Sequence, residues 1–197
     1  SVFALYKDTQ GGIWIGTYFG GVNYYNPTDD HTSYYEANPD MPHALSFPVV
    51  GKMQEDAEHN LWICTEGGGL NFLDRQTRQF TRYVHNKGGL SGIGHNNLKC
   101  IWLRKETGQL YIGTHTGGLT IFDTRKKTAH TLKNSPDKAN SLPSNVINDL
   151  QPYKGKLVLS TQAGIVAMNP ETETFEPLSP LPDAVSYTHL TLPTICS

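Results

Sequence analysis

Short runs of alternating apolar and polar residues follow one another along the chain, separated by turn-forming residues. In residues 49–83 the runs are VVGKMQED, LWICT, LNFLD and FTRY, and the separators include AEHN and EGGG. Alternation with a period of two is typical of β-strands, and glycine and asparagine suit the turns between strands. No segment sustains the period of an amphipathic helix. The pattern therefore predicts an all-β protein.

One phrase recurs four times, every 47 to 49 residues. An anchor residue is followed three positions later by Thr, and then by a glycine-containing turn. The repeated positions are the anchors Trp14, Trp62, Tyr111 and Val158, the threonines Thr17, Thr65, Thr114 and Thr161, and the glycines Gly21, Gly69 and Gly118. We interpret these residues as structural, with the aromatic anchors packed between neighbouring repeats.

Four strands in a repeat of this length are typical of a β-propeller blade. We therefore predict a partial β-propeller of about four four-stranded antiparallel blades. The predicted blades are residues 1–48, 49–97, 98–146 and 147–184, the last of them incomplete. A two-sheet sandwich is the alternative, although sandwiches rarely contain internal sequence repeats.

The segments DTQGGIWIGTYFGGV, DAEHNLWICTEGGGL and ETGQLYIGTHTGGL resemble the two-component regulator propeller repeat. The resemblance implies the periplasmic sensor region of a Bacteroidetes-type hybrid two-component histidine kinase that regulates glycan use. It also implies further propeller blades, a membrane helix and cytoplasmic signalling domains in the full-length protein. On this basis the chain is expected to be an extracytoplasmic fragment.

The last residues, VSYTHLTLPTICS, continue no blade pattern. Residues 185–194 can be encoded by a nucleotide string that resembles a transposon end joined to a sequencing adapter. We interpret residues 185–197 as a non-native cloning or sequencing tail. A natural tail is the alternative.

Composition excludes several functions. The net charge of −2 and pI near 6.4 provide no basic surface for nucleic acid. No apolar run has the length of a membrane span. Cys64 and Cys100 are expected to be free buried thiols, and the eight histidines lack metal-ligand spacings. No metal, cofactor or catalytic residue is predicted.

Carboxylates recur near the first hairpin of the repeats and are assigned to turn formation; they are Asp8, Asp56, Glu106 and Asp149. A glycosidase can assemble two acids from separate blades, so an enzyme stays an open alternative. The first hypothesis is a sensor that binds a glycan breakdown product without turning it over. The alternatives are a propeller enzyme, such as a polysaccharide lyase or glycoside hydrolase, and a protein-interaction scaffold.

The predicted ligand-binding residues lie in the loops that would meet at one rim if the first strand of each blade is innermost. Such loops, carried by a rigid scaffold, commonly contain recognition residues. The predicted set is Tyr18, Phe19, His43, Glu66, His95, Asn96, Asn97, His115 and Asn145. The expected partners are an oligosaccharide, the remaining blades of the same receptor and a second copy in a homodimer.

Overall fold

A computed structural model describes residues 1–85 and 92–178. Their regular elements are β-strands, and they contain no helix. The strands are β1 (Val2–Lys7), β2 (Ile13–Thr17), β3 (Val22–Asn26), β4 (His31–Tyr35), β5 (Val50–Glu55), β6 (Leu61–Thr65), β7 (Leu70–Asp74), β8 (Gln79–Tyr83), β9 (Leu98–Arg104), β10 (Gln109–Thr114), β11 (Leu119–Asp123), β12 (Thr128–Leu132), β13 (Ile147–Tyr153), β14 (Lys156–Thr161), β15 (Gly164–Asn169) and β16 (Thr174–Pro177). The predicted all-β class is confirmed.

The strands form four separate antiparallel sheets, each a meander of four consecutive strands. We number them sheet 1 (β1–β4) to sheet 4 (β13–β16). The first strands of consecutive sheets lie beside one another: β1 contacts β5, β5 contacts β9, and β9 contacts β13. The sheets therefore radiate from a common axis with their first strands innermost, which is the arrangement of a β-propeller.

One sheet falls within each predicted blade. The fourth sheet has four strands like the others, although the sequence predicted an incomplete fourth blade. The predicted end of that blade and the predicted non-native tail, residues 185–197, lie outside the described residues. Cys196 and His189 belong to that tail.

The first hairpin of sheets 1 and 2 is closed by an aspartate. Asp8 Oδ1 accepts hydrogen bonds from the backbone N–H groups of Gln10 and Gly12, at 3.0 and 2.7 Å. Asp8 Oδ2 accepts from the indole Nε1 of Trp14 at 2.9 Å. The carboxylate thus satisfies the turn and the buried indole together. Asp56 and Trp62 repeat the arrangement in sheet 2, with an indole bond of 3.3 Å.

Asp149 departs from this pattern. It lies inside β13, whereas the first hairpin of sheet 4 turns at Lys154 and Gly155. Its assignment to turn formation was wrong, because Asp149 lies within β13, the innermost strand of sheet 4, and not in the hairpin turn.

The second hairpin of every sheet is closed by the repeated threonine. In sheet 2 the Thr65 hydroxyl donates to the carbonyl of Gly69 at 2.8 Å, and Thr17, Thr114 and Thr161 make the equivalent bond. Gly69 has a φ of +75°, and a Cβ there would lie 2.4 Å from the carbonyl oxygen of Tyr83. Only glycine satisfies both conditions. Gly21 and Gly118 are placed in the same way.

Each sheet presents two different faces to its neighbours. We call the face that contains the anchor the forward face and the opposite one the rear face. Trp14 on the forward face of sheet 1 is 1% exposed and packs with Met53, Ile63 and Leu73 on the rear face of sheet 2. Trp62 packs in the same way against Phe122 of sheet 3, with ring centroids 5.4 Å apart. The apolar core therefore lies between the sheets.

Candidate functional site

The loops after the second strands meet the segments before the first strands at one end of the sheets, which we call the axial mouth. Four loop residues occupy equivalent places there: Tyr18, Glu66, His115 and Gln162. Each donates its backbone N–H to a carbonyl just ahead of the innermost strand of its own sheet, at 2.9 to 3.1 Å. The repeated backbone is thus fixed while the side chains differ from sheet to sheet.

The junction of sheets 2 and 3 contains most of the predicted ligand-binding residues. Glu66 pairs through its backbone with Asn97 in an isolated bridge, and the backbone N–H of His115 donates to the Asn97 carbonyl at 3.1 Å. Lys99, which the sequence reasoning missed, lies here too: its Nζ is 2.6 Å from Glu66 Oε1. Both side chains are partly exposed, at 30% for Lys99 and 18% for Glu66.

Asn97 has an unusual environment. Its Oδ1 is buried and has no hydrogen-bond partner among residues 1–85 and 92–178. Val49 and Val146 take the equivalent positions before β5 and β13. A buried carbonyl oxygen without a donor lowers the free energy of unfolding by about 1–3 kcal/mol. Asn97 is therefore less favourable for stability than the valine found at the equivalent positions. The amide oxygen is closed to solvent in this arrangement, so a donor from outside the chain reaches it only after the Asn97 side chain rotates.

His95 and Asn96, by contrast, have partners within the chain. His95 Nδ1 accepts from the backbone N–H of Asn97 at 2.8 Å. Asn96 Oδ1 accepts from the N–H of His85 at 2.6 Å, and the Asn96 carbonyl accepts from Gly69. These bonds join sheet 2 to the entry of sheet 3.

Asn145 repeats the role of Asn96 at the next junction. Its Oδ1 accepts from the N–H of Asn134 at 2.7 Å, and its carbonyl accepts from Gly118 at 3.0 Å. Both asparagines connect neighbouring sheets, and their side-chain oxygens are already used.

Sheet 1 contributes aromatic residues to the mouth. Tyr18 and Phe19 are 48% and 66% exposed, and their rings lie edge to face with centroids 4.5 Å apart. Phe3 lies 6.0 Å from Tyr18 and was not predicted. Phe19 has a φ of 72°, which is uncommon for a bulky residue. Strained backbone of this kind occurs often at functional sites.

His43 does not join the other predicted residues. It lies in the connection between sheets 1 and 2, and its carbonyl accepts from the N–H of Phe80 at 3.0 Å. Phe80 belongs to β8, the outermost strand of sheet 2. His43 is therefore at the periphery, because this connection runs along the outside of the sheet.

Behind the mouth, an ion pair crosses the space between the innermost strands. Lys52 of β5 pairs with Asp149 of β13, so that the pair joins sheet 2 to sheet 4. Cys100 occupies the intervening strand β9, and Cys64 lies beside it. Both thiols are free and buried, and burial raises their pKa values. They remain protonated at neutral pH and are not nucleophiles.

The opposite end of the junction between sheets 2 and 3 contains a cavity of about 260 Å³. Trp62 and Phe72 form part of its wall, and the Lys127 ammonium lies 4.8 and 5.1 Å from their ring centroids. Burial lowers the pKa of Lys127, although Asp56 opposes the shift. The aromatic surface is thus already covered by a cation of the next sheet. This cavity is part of the contact between sheets.

Among the described residues there is no group of three or more His, Cys, Asp or Glu side chains arranged to bind a metal. Residues 1–85 and 92–178 also contain no helix with the length and hydrophobicity needed to cross a bilayer.

Comparison with known proteins agrees with this architecture. The family model described as "Two component regulator propeller" matches residues 1–19. No curated protein matches the chain. Among solved structures, the chain is similar to the extracellular domain of BT3049, assigned to a hybrid two component system of B. thetaiotaomicron. The TM-score is 0.73 at 28% identity, over 89% of this chain and 23% of that one.

The extracellular domain of BT4673, a second assigned hybrid system of B. thetaiotaomicron, has a TM-score of 0.72 at 27% identity, over 90% of this chain and 25% of that one. The chain also shares its fold with PorZ of Porphyromonas gingivalis. The TM-score is 0.65 over 88% of this chain and 26% of that one, and the identity is 14%, so this similarity shows the fold alone. The chain thus spans about a quarter of the length of these proteins. The resemblance to two-component regulator propellers is confirmed, and the extracellular neighbours support an extracytoplasmic location.

Proposed function

We propose that this chain is a ligand-sensing part of a hybrid two-component histidine kinase, and that its axial mouth binds a glycan breakdown product without turning it over. The similarity to extracellular domains of hybrid two component systems supports the receptor class. In the longer receptor, further blades of the same polypeptide adjoin the sheets described here. The kinase activity belongs to domains outside this chain.

One observation carries the ligand site: Asn97 Oδ1 is buried with no donor from the part of the chain that the structure describes, and the Asn97 backbone pairs with Glu66, the partner of Lys99. Rotation of the Asn97 side chain exposes the amide oxygen to a ligand hydroxyl, and the carboxylate of Glu66 and the ammonium of Lys99 offer an acceptor and donors next to it. Sugar hydroxyls both donate and accept, so a saccharide uses all three groups. The exposed rings of Tyr18 and Phe19 supply an apolar surface on the same end of the molecule.

Calorimetric titration of the chain with a panel of short neutral and acidic oligosaccharides tests the proposal. The native chain should bind at least one member, and Asn97→Val should abolish that binding. Because valine occupies the equivalent positions in sheets 2 and 4, the variant should fold normally and melt at a higher temperature. Gln76→Ala, on the opposite rim, is the control and should bind as the native chain does.

Two results would contradict the proposal. One is oligosaccharide binding that is unchanged in Asn97→Val but lost in variants of the opposite rim. The other is release of shortened products during the titration, which would identify a propeller enzyme instead.

A further inference from the structure

Two of the connections between sheets form the same loop. Residues 38–45 lie between sheets 1 and 2, and residues 135–142 lie between sheets 3 and 4. Each loop runs beside the outermost strand of the later sheet. The carbonyl of His43 accepts from the N–H of Phe80 at 3.0 Å. The carbonyl of Asn140 accepts from the N–H of Phe175 at 3.1 Å.

The backbone hydrogen bonds inside the two loops also correspond. They run from Met41 to Asn38 and from Ala44 to Met41 in the first loop, and from Lys138 to Ser135 and from Ser141 to Lys138 in the second. Residues 38–45 therefore align one by one with residues 135–142.

The first loop encloses the guanidinium of Arg82, which extends from β8. Arg82 Nε donates to the carbonyl of Ala44 at 3.0 Å. Nη1 donates to the carbonyl of Pro39 at 3.0 Å, and Nη2 donates to that of Met41 at 2.6 Å. Two further carbonyl oxygens lie 2.6 and 3.3 Å from Nη2, those of Asn38 and Leu45. A guanidinium holds its donors in a rigid planar fork, so this set of carbonyl oxygens is complementary to one such group.

The second loop has no arginine at this place. The strand registers align Phe175 with Phe80, so that Pro177 of β16 takes the position of Arg82. Proline has no side-chain donor. Residues 86–91 and 179–197, which lie outside the described residues, contain no arginine. The chain therefore has no further arginine of its own to replace Arg82 in the second loop.

Two of the five equivalent carbonyls receive donors from nearby side chains. Ser141 Oγ donates to the carbonyl of Ser135 at 2.8 Å. Asn134 Nδ2 donates to the carbonyl of Leu142 at 2.7 Å. These two acceptors are the counterparts of Asn38 and Leu45.

The other three carbonyls receive no side-chain donor from residues 1–85 and 92–178; they belong to Pro136, Lys138 and Ser141. Their counterparts in the first loop accept from three different nitrogens of Arg82: Nη1, Nη2 and Nε. The second loop therefore retains one acceptor for each nitrogen of a guanidinium.

A cavity of about 430 Å³ lies at the second loop, between sheets 3 and 4. Four of its lining residues are the counterparts of residues that contact Arg82; they are Ser135, Lys138, Ser141 and Leu142. Phe175 adds an apolar wall and packs towards sheet 3. The walls thus belong to sheets 3 and 4 and to the connection between them, at the outer edge and away from the axial mouth.

From this correspondence we infer that the cavity binds a guanidinium group from outside the chain, supplied by a small molecule or by an arginine side chain of another polypeptide. Its three nitrogens donate to the carbonyls of Pro136, Lys138 and Ser141, as those of Arg82 do in the first loop. The apolar stem of the ligand lies against Phe175.

The charges around this cavity cancel. The ammonium groups of Lys133 and Lys138 are balanced by the carboxylates of Asp137 and Glu173. Lys133 is the unfavourable member, since the strand registers align it with Glu36 of the first loop. Recognition therefore depends on hydrogen bonds to the carbonyl oxygens, which match the fork of a guanidinium better than the point charge of an ammonium.

NMR titration of the full chain with blocked amino acids tests the inference. Nα-acetyl-arginine amide should shift the backbone amide signals of residues 138–142. It should bind about tenfold more tightly than the citrulline derivative, which has nearly the same shape but no charge and one donor group fewer. The lysine derivative should also bind more weakly, because its single nitrogen cannot reproduce the fork.

Two further probes distinguish the sources of the guanidinium. These are butylguanidine and the peptide Gly-Arg-Gly with blocked ends. Tighter binding of butylguanidine indicates a small-molecule ligand, whereas tighter binding of the peptide indicates an arginine of another polypeptide.

Pro177→Arg supplies the guanidinium from within the chain. It should weaken binding of Nα-acetyl-arginine amide about tenfold or more, because the new side chain occupies the same three carbonyls. Pro177→Ala is the matched control: it should bind as the native chain does and should melt at a lower temperature than Pro177→Arg. Lys133→Glu introduces the charge of the first loop and should tighten binding by up to about fivefold.

Equal binding of the arginine and citrulline derivatives would overturn the inference. Undiminished binding in a folded Pro177→Arg variant would also overturn it, because the internal guanidinium and the ligand require the same acceptors. Should Pro177→Arg fail to fold, Lys133→Glu decides: affinity equal to that of the native chain would overturn the inference.

Discussion

Arg75 and Asp8 form an ion pair of 3.0 Å between sheets 2 and 1, and Arg104 and Glu171 form one of 2.6 Å between sheets 3 and 4 with the charges reversed. Between sheets 1 and 2 the acid, Asp8, belongs to the earlier sheet. Between sheets 3 and 4 the base, Arg104, belongs to the earlier sheet. The two pairs also differ in burial. Asp8 is fully buried and Arg75 is 18% exposed, whereas Glu171 is 70% exposed.

This difference predicts unequal effects of removing the two arginines. Arg75 also lies 5.3 Å from the ring centroids of Trp14 and Tyr24, so Arg75→Ala leaves a buried carboxylate unpaired and should cost about 2–4 kcal/mol. Arg104→Ala should cost about 0–1 kcal/mol, because water solvates Glu171. Urea unfolding of both variants measures the difference, and equal losses would contradict it.

The repeated glycine should be irreplaceable for two separable reasons. Gly69→Ala places a Cβ in a positive-φ position and against the Tyr83 carbonyl, so it should destabilise the chain by more than the strain alone. Gly155→Ala is the matched control, since Gly155 has a φ of +76° with no atom near the added Cβ. Gly155→Ala should cost about 1–2 kcal/mol. Equal melting temperatures of the two variants would show that the contact with the Tyr83 carbonyl adds no destabilisation beyond the backbone strain.

Trp62 should contribute to stability rather than to ligand binding. It is 1% exposed and lies between sheets 2 and 3, so Trp62→Ala should cost about 3–5 kcal/mol. That is a large share of a typical unfolding free energy of ~5–15 kcal/mol. Thermal and urea unfolding report the loss. Unchanged stability together with lost ligand binding would show that Trp62 is a binding residue.

Phe19 should lower the stability of the chain while contributing to ligand binding. Its positive φ costs free energy that glycine avoids, and its ring is largely in water. Phe19→Gly should therefore raise the unfolding free energy by about 0.5–1 kcal/mol while weakening oligosaccharide binding. Tyr18→Gly is the control, because Tyr18 lacks the positive φ, and it should not stabilise the chain. A destabilised Phe19→Gly would mean that the ring makes contacts that outweigh the strain.

The sequence predicted the sheets well because the relevant signals are local. Alternation within LWICT or LNFLD depends on neighbouring residues, and the Thr65–Gly69 turn is complete within one hairpin. The repeat then extended each local signal to every sheet. The fold class and the positions of the strands could both be read in this way.

The site was less predictable because its contacts join distant segments. Asp149 was grouped with the hairpin aspartates because it also precedes the first hairpin of its sheet, yet its partner Lys52 is 97 residues away. Asn96 and Asn145 resembled ligand residues, but their oxygens bind the connection from the preceding sheet. Asn97 is recognisable from the sequence, because it is polar whereas the equivalent residues before β5 and β13, Val49 and Val146, are apolar.

The central claim, that the axial mouth is the ligand site, is tested most directly by hydrogen–deuterium exchange of the chain with and without an oligosaccharide that binds it. The account predicts slower exchange in residues 66–69, 93–99 and 115–118, which surround Asn97 and the Glu66–Lys99 pair. Residues 56–60 and 74–78 at the opposite end should exchange as before. Protection confined to those opposite segments, with the mouth unchanged, would contradict the account.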